Sequence, residues 1–127
     1  MLYEIKKKCV TWAILALNVI AYILCIVFGD AVYDIGSLSV QEVLENQEYY
    51  RILTNMFLHA GIDHIIGNML FVVILGEMLE QAIGHARFAV VYLLTGIGGS
   101  VLSMMYELAS GEYYYTVGAS GAVCGIM

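Results

Sequence analysis

The chain has no proline, only five lysines and arginines, and charge on just 13% of its 127 residues. A soluble domain is nearer a quarter charged and half apolar. Here 61% of residues are hydrophobic, too many for a soluble core of this size to hide, so a bilayer is the better solvent. The shortage of basic residues, with a net charge of −6, excludes nucleic acid as a partner, because no basic patch exists to neutralise phosphates. Cysteine is scarce too. Cys9, Cys25 and Cys124 sit in or beside apolar runs, with no C-x-x-C and no Cys/His spacing, so neither a disulfide framework nor a zinc site is expected. Their ordinary role is small apolar filler.

What is present reads as membrane spans. Behind Lys6, Lys7 and Lys8 runs Val10–Phe28, about 19 uncharged residues, enough for one helical crossing. A cleaved signal would have a shorter apolar core and a small-residue cleavage site. The lysines place residues 1–9 in the cytoplasm. Residues 29–63 form an external loop, acidic at Asp34, Glu42, Glu45 and Glu48 and partly helical in pattern, with Tyr49 and Tyr50 suited to the membrane surface. A second span over about 64–82 has only about 13 uncharged residues, fewer than the roughly 17 usually needed. It requires His64 to lie within the membrane and Glu77 or Glu80 to snorkel or pair. The third span, about 87–107, is clean between Arg87 and Glu107. A helix starting near Ser120 would hold barely two turns by Met127, so the chain reads as three spans and an incomplete fourth over 118–127. The fold class expected is an all-α polytopic membrane bundle.

Two groups of residues could carry chemistry. Gly118-Ala119-Ser120-Gly121 puts a serine among glycines that allow close backbone approach. Ser120 would open a helix whose free N–H groups could face developing negative charge. The same small residues, with Gly121 and Gly125 spaced as GxxxG, also suit plain helix packing. His64 and Asn68 stand four apart on one helix face, with His59 just before them. Polar residues inside a membrane are costly and usually functional, yet interfacial histidines and an interhelical Asn68 bond would be the structural alternative. A zinc reading lacks a third ligand of the H-E-x-x-H kind.

Taken together the groups are far more specific. RILTNMFLHAGIDHIIGNMLF, GEMLEQAIGHARF and GASGA occur in the order and spacing of the rhomboid intramembrane serine proteases, and roughly Tyr50–Met127 resembles that family. Gly76, Glu80 and Gly84 match its second-to-third helix turn. Arg51 matches the arginine of its outer loop, with Tyr50 where tryptophan is common.

The resemblance implies roles. Ser120 would be the nucleophile and Gly118 the first glycine of its motif. The Ser120 N–H and the side chains of His64 and Asn68 would form the oxyanion hole. His59 would have a supporting role. The family's general base is a histidine on the sixth helix, and no histidine follows Ser120 here. Residues 1–127 are therefore expected to be inactive alone, since a serine hydroxyl without a base is a weak nucleophile. The implied activity is a Ser–His dyad endopeptidase acting in or near transmembrane segments of membrane-protein substrates, with no cofactor or metal, in a lipid bilayer that is expected to be a prokaryotic plasma membrane. The rival is a non-catalytic rhomboid-like protein that binds transmembrane clients. A third reading, an unrelated small helical membrane protein, leaves the joint spacing to chance.

Overall fold

The computed structural model describes residues 8–113, 115 and 117, and among them every regular element is helical. Helix α1 spans Cys9–Phe28. It stops at Gly29, whose φ of 63° is easily reached only without a Cβ. Four short helical pieces follow: α2 over Asp30–Gly36, α3 over Val40–Glu45, α4 over Arg51–Thr54 and a 3₁₀ turn over Asn55–Phe57. Two long helices complete the bundle, α5 over Ile62–Ile83 and α6 over His85–Ser110. Helices α1, α5 and α6 are long and apolar enough to cross a membrane, with mean hydropathies of 2.4, 1.7 and 1.8.

The middle span explains itself once its charges are followed. Its uncharged stretch is short, but the helix extends through Glu77 and Glu80, and each acidic group has a partner. Lys8 Nζ lies 3.0 Å from a Glu77 carboxylate oxygen, and Glu80 is buried against the first turn of α1. Pairing lets a 22-residue helix carry two carboxylates near its end.

Helices α1 and α5 pack closely, and both touch α6. Their core is Ile14, Ile65, Met69, Val72, Phe88 and Tyr92, joined by Met56 from the 3₁₀ turn. Gly76 makes the close approach possible, because a Cβ there would sit 3.1 Å from Phe88 and 3.2 Å from Thr11. The connection from α5 to α6 is Gly84 alone, at φ 94°. Outside the core, Leu17, Ile26, Ile66, Met78, Leu94 and Leu102 are all more than half exposed, the pattern of helices that face hydrocarbon.

The segment between α1 and α5 folds onto the far end of α6. Leu38, Val40 and Val43 bury themselves against Met104. Ser39 starts α3 as a cap, its hydroxyl accepting the Glu42 N–H, in the Ser-x-x-Glu pattern of a helix start. Asn55 Nδ2 donates to Ser100 Oγ at 2.9 Å, and Ser100 in turn donates to the Ile52 carbonyl. These bonds fasten the loop to the third span.

Candidate functional site

The loop end of the bundle is organised by Arg51. The residue is 4% exposed. Its guanidinium donates to the Ser37 carbonyl at 2.8 Å, the Asp34 carbonyl at 2.6 Å and the Glu48 carboxylate at 2.9 Å. One fork thus ties the end of α2 to the start of α4, which a single-point lysine charge could not do. The Arg51 bond to Glu48 holds that carboxyl below its ordinary range. Tyr33 reaches across this framework and donates its hydroxyl to the His59 carbonyl. Burial pushes the Tyr33 phenol up to about 12, so it remains a donor.

That bond fixes the turn leading into α5. His59 is fully buried there, its ring edge-on to His64 with centroids 5.0 Å apart. Burial, and next the neighbouring His64, lower the His59 imidazole to about 4. His59 is therefore neutral at neutral pH and too weak to be a proton acceptor of catalytic use. His64 lies in the first turn of α5, and Asn68, 9% exposed, lies one turn further on the same face. Among the described residues, neither ring nitrogen of His59 nor the Asn68 Nδ2 has a hydrogen-bond partner. Buried polar groups are normally satisfied, so this end of α5 concentrates unused hydrogen-bonding capacity. The structure brings His59, His64 and Asn68 into one neighbourhood. The expected nucleophile Ser120, the motif glycine Gly118 and the incomplete fourth span lie outside the described residues.

The opposite end of the bundle holds a second polar cluster. Glu80 is 1% exposed. Its carboxylate accepts the Val10 N–H at 2.7 Å, the Thr11 N–H at 2.8 Å and the Thr11 hydroxyl at 2.6 Å. It therefore caps the first helix from a residue on the second. His85 Nδ1 approaches Glu80 Oε1 at 2.6 Å. With Cys9, these two bring three metal-ligating atoms within 4.8 Å of one another. Sequence alone shows that Glu77 or Glu80 needs a partner but not which one, and it does not single out Tyr33, Asn55 or Ser100. An amide and a hydroxyl inside apolar stretches were the only local sign of the last two.

The chain was then compared with known proteins. Residues 46–127 match the family model described as the Rhomboid domain. The chain is 43% identical over 93 residues to RHOMBOID-like protein 6, mitochondrial, of Arabidopsis thaliana, covering 73% of this chain and 29% of that protein. It is 37% identical over 81 residues to the putative rhomboid protease YdcA of Bacillus subtilis, covering 64% of this chain and 39% of that one. The Arabidopsis protein named Inactive RHOMBOID-like protein 8 is 35% identical over 85 residues, covering 63% of this chain and 24% of the relative. The match thus spans between about a quarter and two-fifths of these relatives' lengths. With its three membrane-length helices and this match over more than half its residues, the chain belongs to the rhomboid family of integral membrane proteins.

Proposed function

We propose that this chain carries the nucleophile and oxyanion-binding portion of a rhomboid serine endopeptidase, which hydrolyses peptide bonds in or near transmembrane segments of membrane-protein substrates. The observation that carries the proposal is the placement of His64 and Asn68 on one face of α5, beside a neutral His59, with the Asn68 Nδ2 unpartnered among the described residues. In this reading Ser120 Oγ bonds to the scissile carbonyl carbon. The serine proton passes to a general-base histidine, which the family carries on its sixth helix. The Ser120 N–H and the His64 and Asn68 side chains bind the oxyanion. Expulsion of the amine leaves an acyl-enzyme that water then hydrolyses. His59 is a positioning residue for His64.

The topology belongs to the same proposal. Residues 1–9 are cytoplasmic, the loop over 29–63 is external, and the membrane is a prokaryotic plasma membrane. Residues 1–127 contain His59, His64 and His85 and no histidine after Ser120. Alone they are expected neither to cleave a transmembrane substrate nor to react with a fluorophosphonate probe.

The test supplies the later helices of a rhomboid protease, fused or co-expressed. Labelling and cleavage should then appear, Ser120→Ala should abolish both, and Asn68→Ala should slow cleavage about 10²-fold at equal protein level. Cleavage that survives Ser120→Ala overturns the assignment. Client binding without any Ser120-dependent chemistry favours instead a non-catalytic protein, a reading given weight by the relative named inactive.

A further inference from the structure

We propose that Cys9, Glu80 and His85 form a binding site for a zinc-type divalent ion that staples the start of the first span to the turn between the second and third. The three residues are far apart in sequence, which hides them from any spacing motif. The fold brings them together because α1 starts where α5 ends and α6 begins. Cys9 Sγ lies 3.5 Å from His85 Nδ1 and 3.8 Å from Glu80 Oε1. Tetrahedral zinc with sulfur at ~2.3 Å and nitrogen or oxygen at ~2.0–2.1 Å requires ligand separations of about 3.5 Å from the sulfur and about 3.3 Å between the lighter atoms. The two sulfur distances are close to this. The His85–Glu80 distance, 2.6 Å, is that of a shared hydrogen and must open by about 0.7 Å on metallation. His85 can make that movement, since its side chain is 49% exposed, whereas Glu80 is held by the α1 backbone.

Charge and proton balance are favourable. The Cys9 thiol loses its proton to solvent. His85 binds through Nδ1 as the neutral ring with its hydrogen at Nε2: from the imidazolium the Nδ1 proton leaves to solvent, and from the neutral Nδ1–H tautomer the hydrogen moves to Nε2. Thiolate, carboxylate and a dication then sum to zero, which suits a site beside a membrane. The first N–H groups of α1 already stabilise the Glu80 carboxylate, and Lys8 is engaged by Glu77. One sulfur, one nitrogen and one oxygen suit zinc better than magnesium or calcium, which take oxygen. An open cavity of about 300 Å³ lined by Glu80, Gln81, Gly84 and His85 leaves room for water as a fourth ligand.

The test uses permeabilised membranes containing the chain. Maleimide alkylation of Cys9 is followed by mass spectrometry of its peptide while zinc is titrated in. Zinc should protect Cys9, magnesium should not, and His85→Gln should raise the half-protective zinc concentration by at least ~10-fold. In purified protein, cobalt should give a sulfur-to-metal charge-transfer absorption that Cys9→Ser removes. Absence of protection in the parent chain, or an unchanged half-protective concentration in His85→Gln, overturns the proposal, as does a cobalt spectrum unaffected by Cys9→Ser.

Discussion

The two ends of the α5 helix treat polar groups in opposite ways. At the Glu80 end a buried carboxylate is saturated, with both oxygens taken by N–H and hydroxyl donors. At the His64 end, buried His59 and Asn68 retain nitrogens with no partner among the described residues. A saturated network rigidifies a fold, whereas unused donors and acceptors cost stability and persist where they serve another purpose. The difference separates scaffold from candidate chemistry on one helix, although both ends look alike as polar residues in an apolar run.

The largest effect is expected at the saturated end. Glu80→Ala should destabilise the bundle by about 3 kcal/mol, because it strands a buried N–H and hydroxyl of Thr11 and the half-buried Val10 N–H, all now bonded to a charged acceptor. Unfolding in mixed detergent measures this. A loss below about 1 kcal/mol would mean that solvent replaces the cap and would erase the contrast. A smaller effect is expected from pH at the other end. Folding holds His59 at about 4 against an ordinary 6.5, so between these values the unfolded chain binds more protons. Stability should be full above pH 6.5 and decline as pH falls toward 4. The Glu48 carboxyl, lowered from 4.5 by Arg51, adds its loss only below that value. His59→Gln should flatten the slope between about pH 6.5 and 4.5. An unchanged slope would place the titration elsewhere. The smallest effect is expected for Asn68→Ala, which removes no Nδ2 hydrogen bond to the described residues and should change stability by less than about 1 kcal/mol. A large loss would make Asn68 a structural residue and weaken its proposed place at the oxyanion.

The first and third spans were legible from their uncharged runs, and the His64–Asn68 face from a spacing of four. The second span fell short on local evidence because its length depends on Lys8 and on the α1 backbone, partners some 70 residues away. The region after α1 was legible as a partly helical surface loop. Its anchorage through Arg51 and Ser100 was not, because those bonds go to backbone carbonyls that any residue could offer. The family resemblance placed Arg51, His59 and Glu80 by pattern, and geometry gave them partners: loop tie, neutral ring against His64, and helix cap.

The cap at Glu80 also has a history in time. Val10 and its acceptor are 70 residues apart, and ribosomes add roughly 5–20 residues per second. For several seconds after the first span is made, its leading amides lack the Glu80 acceptor. The α5–α6 hairpin, closed by one glycine, can form as soon as it is synthesised, and its arrival completes the helix that preceded it. The first span is thus made well before the residue that caps it.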